Sequence, residues 1–244
     1  MTIQRGEYEA RQERLRQALR DSGFAGALVV GRGFFDRPGS LAYLTGHFPP
    51  FISAPFADAT GGAGLASAIF PALGEPVMVE TYPTRPDRTA INDVRAVAAI
   101  VGETINVLRE KGLGAGRLAV VDGDLLPWAF ARVLQETLPD LRLVPFDGAL
   151  ARMRSIKSQP EVALIRNAAL VADAGLKAAR AVIRPGATER EVGAAGHNAA
   201  LLAGADFVRY FRVHSGPWAF AGARWPQAMD RVMEEGDYIA ADII

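Results

Sequence analysis

Apolar residues recur at helical spacing from residue 5 to residue 22. Tyr8, Leu15, Ala18 and Leu19 share one face, Arg, Gln and Glu fill the rest, and Gly23 closes the segment. The apolar run Ala27-Leu28-Val29-Val30 then predicts a buried strand. Residues 31–64 are rich in Gly, Pro and Phe and hold one short apolar strip, Leu41-Ala42-Tyr43-Leu44; they read as strand and loop. Two strands are expected at 65–70 and 76–80, joined by a turn at Leu73-Gly74-Glu75. A helix at 102–111, a strand at 117–121, a helix at 125–138 and a strand at 141–144 complete the alternation. That alternation is the pattern of a layered α/β domain.

The texture changes near residue 155, where long Ala-rich helices take over. Ser158-Gln159-Pro160-Glu161 combines an N-cap Ser, a Pro in the first turn and a Glu three residues after the cap. Val162, Ile165, Ala169, Ala172 and Leu176 follow at helical spacing, predicting a helix over 160–182. Thr188-Glu189-Arg190-Glu191 is a second capping box and opens a helix to about Leu202. Two strands are expected near 207–214 and 237–243. The pattern predicts one domain over 1–153 and a second, α+β one over 154–244.

Composition removes several classes of function. Lys plus Arg and Asp plus Glu both number 27, so no global field draws the chain to nucleic acid or to an anionic membrane. With no Cys there can be no disulfide, thiolate zinc site or Cys nucleophile. The polar N-terminus lacks the apolar stretch of a secretory signal, and no apolar run is long enough for a membrane span, so a cytoplasmic protein is expected. GxSxG, HExxH and a P-loop Lys are all missing. Gly31-Arg32-Gly33 and Gly61-Gly62-Ala63-Gly64 read as turns rather than phosphate loops, because neither combines strand, spacing and helix.

The three histidines are the natural place to look for chemistry. His197 lies in an Ala-rich helix and reads as a partly buried polar residue. His214 precedes Ser215, but adjacent side chains rarely converge on one point and no acidic residue is placed to orient the pair. His47, in a loop with Phe48, Pro49 and Pro50, is a candidate substrate contact, since loops carry binding groups disproportionately.

Four segments, in order, carry a resemblance. They are Arg154-Ser155-Ile156-Lys157-Ser158 with Glu161, Ile165, Arg166 and Ala168; Ile183-Arg184-Pro185-Gly186-Ala187-Thr188-Glu189-Arg190-Glu191-Val192; Val213-His214-Ser215-Gly216; and Glu235-Gly236-Asp237-Tyr238-Ile239-Ala240-Ala241-Asp242. Together they resemble the first part of the pita-bread catalytic domain of the creatinase/aminopeptidase P/prolidase family of metallohydrolases, peptidase family M24. Residues 5–150 resemble that family's ribonuclease H-like N-terminal domain in element order.

The resemblance implies a hydrolase, an Xaa-Pro peptidase or a relative of one, working as a homodimer on a peptide or small molecule. In the family two divalent ions (Mn, Co or Zn) sit between two Asp, one His and two Glu, lower the pKa of a bridging water and polarise the carbonyl under attack. Here Asp242 matches the first Asp, and the other four ligands would lie beyond Ile244. A single carboxylate cannot hold a dinuclear site. The expectation is therefore an incomplete chain, whose two strands near 207–214 and 237–243 fall short of a stable sheet. The family's substrate-binding His is also missing after Ser215-Gly216; Arg224 and Trp225 stand near its place and could supply a carboxylate fork and a stacking wall. Creatinase uses a similar fold without metals on a small guanidino compound, so a metal-free C–N hydrolase or a lyase is an alternative. A non-catalytic relative, serving as a binding module with an exposed apolar surface, is another.

Overall fold

In the computed structural model, residues 3–33, 37–50, 64–82, 86–220 and 226–244 are described. The chain divides into two compact units, Thr2–Lys157 and Ser158–Ile244.

The first unit is built on a six-stranded sheet, β1 (Gly26–Arg32), β2 (Leu65–Pro71), β3 (Val77–Glu80), β4 (Asp93–Ala96), β5 (Gly116–Val121) and β6 (Leu141–Pro145), in the order β4-β3-β2-β1-β5-β6. β2 runs antiparallel to both its neighbours, while β1 pairs parallel with β5, β5 with β6 and β3 with β4. Successive side chains of a strand point to opposite faces, and β1 shows the result. Leu28 and Val30 enter one core, with Ile105 and Leu108 of α3 (Ile100–Glu110) and Phe130 and Leu134 of α4 (Trp128–Thr137). Ala27 and Val29 enter the other, with Leu15 and Leu19 of α1 (Arg5–Asp21), Leu41 and Leu44 of α2 (Gly39–Thr45) and Leu150 of α5 (Asp147–Ser155). The layered α/β arrangement is the one the alternation predicts.

Three elements differ from the expectation. The strip Leu41-Ala42-Tyr43-Leu44 is part of α2, not strand or loop: Leu41, Leu44 and Thr45 lie on one buried helical face. α2 packs tightly on β1, since a Cβ on Gly31 would lie 2.7 Å from Leu41 Cβ. That contact, not a flexible turn, accounts for Gly31. β4 and α5 carry polar and Arg-rich sequences with little periodicity, and both owe their form to β3, α1 and β5, which they pack on or pair with.

In the second unit, α6 (Gln159–Val182) and α7 (Glu189–Leu202) pack against a two-stranded antiparallel sheet, β7 (Phe211–Ser215) and β8 (Ile239–Ile243). Both predicted capping boxes form, Ser158 with Glu161 and Thr188 with Glu191. The helices cross closely because two glycines meet there. A Cβ on Gly175 would lie 3.0 Å from the Gly196 carbonyl, and one on Gly196 would lie 2.3 Å from the Phe211 ring. Exposed apolar side chains in this unit include Leu170, Leu202, Phe220 and Tyr238. No described helix is long and apolar enough to cross a membrane.

Candidate functional site

The two faces of the β7–β8 sheet differ in chemistry. Phe211, Val213 and Ser215 of β7 face α6 and α7. Arg212 and His214 alternate onto the opposite face, where Arg212 stands across from Asp242 and His214 across from Ala240.

The covered face is organised by Glu189, the first residue of α7, which is 0 % exposed. Its Oε1 accepts from the Ser215 N–H at 2.7 Å and from the Ser215 hydroxyl at 2.8 Å, and its Oε2 accepts from the Met229 N–H at 3.1 Å. The Ser215 hydroxyl in turn accepts from Arg231 at 2.6 Å, and Arg231 forms a fork with Asp237. The guanidinium, followed by the Glu234 N–H, holds the Asp237 carboxyl below its ordinary range. Gly216, with φ of 59°, makes room for it, since a Cβ there would meet the Arg231 guanidinium at 2.5 Å.

On the opposite face Asp242 is engaged by Arg212. The Arg212 Nε donates to Oδ1 at 3.0 Å and to Oδ2 at 3.1 Å, and its Nη2 also donates to Oδ2. The carboxylate raises the Arg212 pKa, and the guanidinium lies 4.3 Å from the centre of the Tyr210 ring. His214 is 3 % exposed, with Nε2 2.9 Å from the Pro226 carbonyl. A carbonyl only accepts, so Nε2 carries the hydrogen and Nδ1 of the neutral ring is an acceptor. Nδ1 is buried and meets no donor among the described residues.

The donor set at Asp242 does not suit a two-ion centre as it stands. Both its oxygens receive a guanidinium, and no group of three His, Asp or Glu converges among the described residues.

His47 lies in the first unit and is buried, not presented on an open loop. Its Nε2 is 3.0 Å from Oε2 of Glu80, which is also buried. The crevice beside the pair, lined by Pro49, Pro50 and Tyr82, has no room for a water molecule. His197 is half-buried in α7. Arg224 and Trp225 fall outside the described residues.

Sequence reasoning missed Glu189 and Arg212. Glu189 was visible only as a second acid inside a capping box whose cap-to-N3 contact needs just Glu191. Arg212 lies 30 positions from Asp242, and only the β7–β8 register joins them.

Comparison with known proteins gives these residues a context. Residues 11–156 match the family profile of the Creatinase/Prolidase N-terminal domain. A segment of 86 residues, 35% of the chain, is 40% identical to creatinase of Bacillus sp. (strain B-0618), of which it covers 21%. Among solved structures, the prolidase of Thermococcus sibiricus matches all of the chain at 19% identity, a TM-score of 0.79 and 62% of its own length. The Xaa-Pro dipeptidase of Bacillus anthracis matches 97% of the chain at 21% identity and a TM-score of 0.72. The chain spans 60% of that dipeptidase. These likenesses establish the fold over both units.

Proposed function

Since the chain belongs to the creatinase/prolidase family, we propose that it is the N-terminal domain and the first part of the second domain of a homodimeric hydrolase that cleaves a C–N bond in a small, carboxylate-bearing molecule. The observation that carries this reading is the 40% identity to creatinase over 86 residues.

Xaa-Pro peptide hydrolysis is the second reading. It is favoured by the likeness of both units to prolidases at TM-scores up to 0.79. In it Asp242 would leave Arg212 and join ligands outside these 244 residues in holding two divalent ions, Mn, Co or Zn, which supply an activated water.

The test is amine release by the full natural polypeptide from creatine, N-acylglycines and Gly-Pro, each with EDTA and with Mn²⁺. Cleavage of the small carboxylates with EDTA present is expected. Cleavage of Gly-Pro alone, and only with Mn²⁺, would replace the first reading by the second.

A further inference from the structure

The first residues of β5 and β6 set two arginines side by side. The parallel register places Arg117 opposite Arg142. Neighbouring strands lie about 4.8 Å apart, so the two side chains leave the sheet from adjacent points. They leave it on the same face, because Ala119 and Val144, two residues further along each strand, both pack into the core with α1 and α5. Both arginines are exposed. Neither donates to an acceptor or meets a carboxylate at ion-pair distance among the described residues.

Like charges set opposite each other on one face of a ladder destabilise it. Arg95 on β4 shows how the same sheet treats a lone guanidinium: Asp93, Glu103 and Glu110 all pair with it. Protection of a sheet edge by charge accounts for Arg142 on the outer strand β6, but not for Arg117, since β5 is flanked by β1 and β6. Arg117 is also held in place. Its guanidinium lies 4.5 Å from the centre of the Phe24 ring, and Phe24 meets Phe146 edge-on with ring centres 5.2 Å apart. One arm is thus pre-organised, and Arg142 can close on a ligand from the other side.

We propose that Arg117 and Arg142 form a binding site for a phosphate dianion, inorganic or carried as a monoester. Phosphate oxygens can accept from two guanidinium forks at once, whereas a single carboxylate satisfies one. Binding also relieves the repulsion between the arginines, which favours a dianion over a monoanion. The site does not depend on the hydrolase reading.

The experiment is thermal unfolding and calorimetric titration of the full natural polypeptide at fixed ionic strength. The pH is held at about 8, where a phosphate monoester, with its second pKa of about 6, is a dianion. The probes are inorganic phosphate, methyl phosphate, acetate and a tetraglutamate peptide. Both phosphates are expected to raise the melting temperature and to bind at least about tenfold more tightly than acetate. The tighter of the two tells whether the site takes the free ion or an ester. Arg117→Gln and Arg142→Gln should each weaken phosphate binding by about tenfold, and Arg142→Lys, which keeps the charge without the fork, should weaken it less. Removing one arginine also removes the repulsion, so Arg142→Gln should melt higher than the natural chain when phosphate is absent. A lower melting temperature for that variant without phosphate would make the pair structural and overturn the proposal. So would stabilisation that follows ionic strength alone, or phosphate binding that survives both substitutions. Binding of tetraglutamate but not of phosphate would replace the phosphate site by a contact for an acidic protein segment.

Discussion

Glu189 and Ser215 are joined twice, through the backbone N–H and the hydroxyl of Ser215, both donated to a single carboxylate oxygen of a fully buried Glu. The link ties the first turn of α7 to the end of β7. The second carboxylate oxygen adds the Met229 N–H, so three separate stretches of chain meet on one side chain.

Replacing that side chain should be among the costliest single changes in the second unit. Glu189→Ala strands three donors in a dry interior, and a loss of about 3 kcal/mol or more is expected. Glu189→Gln should cost about 1–2 kcal/mol, since its amide NH₂ can only oppose one of those donors. Urea unfolding followed by far-UV circular dichroism measures both; a Glu189→Ala loss below 1 kcal/mol would show the network to be dispensable.

The close crossing of α6 and α7 makes a second prediction. Gly196→Ala puts a methyl into the Phe211 ring and should destabilise by about 1–3 kcal/mol, although Ala is the better helix former. Gly196→Ala with Phe211→Leu should recover part of that loss. Melting temperatures of the single and double variants decide it, and strict additivity would place the strain elsewhere.

Thr188→Ala removes the cap of α7 and should cost about 1 kcal/mol at neutral pH. The same site gives a pH dependence. The backbone N–H of Thr188, and then its hydroxyl, hold Glu191 below its ordinary value of 4.5 in the folded chain. The unfolded chain therefore binds the proton more readily. The contribution is full above the ordinary value and is lost as pH falls through the folded one. Glu191→Gln should flatten the stability curve below pH 4.5 and leave its slope near pH 7 alone.

His47 and Glu80 are a coupled pair in the first unit. Glu80→Ala removes a buried carboxylate 3.0 Å from the His47 imidazole and should cost about 1–3 kcal/mol. His47→Leu with Glu80→Leu should cost less than the sum of the single changes. A double-mutant cycle read by denaturant unfolding measures the coupling, and a value near zero would mean the 3.0 Å approach carries no energy.

The helices with strong periodicity or caps were legible from the sequence alone: α1, α3, α6 and α7 lie within two residues of their expected ends. The strands with unbroken apolar runs, β1, β2 and β5, were equally plain. α2 was not, because four apolar residues fit either period and only Gly31 beneath them shows which face is buried. β4, with its polar Asp93 and Arg95, is a strand because β3 pairs with it. The candidate site was half legible. Asp242 was legible only through the family resemblance of the segment 235–242, and its guanidinium partner is set by strand register, which no local pattern encodes.

The strand order β4-β3-β2-β1-β5-β6 also sets a schedule. A chain leaving the ribosome makes β1, β2 and β3 early, and these can pair as a meander. The other side of β1 then stays a bare edge until β5 has been synthesised, far downstream. Completion of the first unit thus waits on its late strands, and the slowest step expected is closure of the long loop that brings β5 to β1. During that wait the edge of β1, with Leu28 and Val29 at its centre, is open to non-native strand pairing.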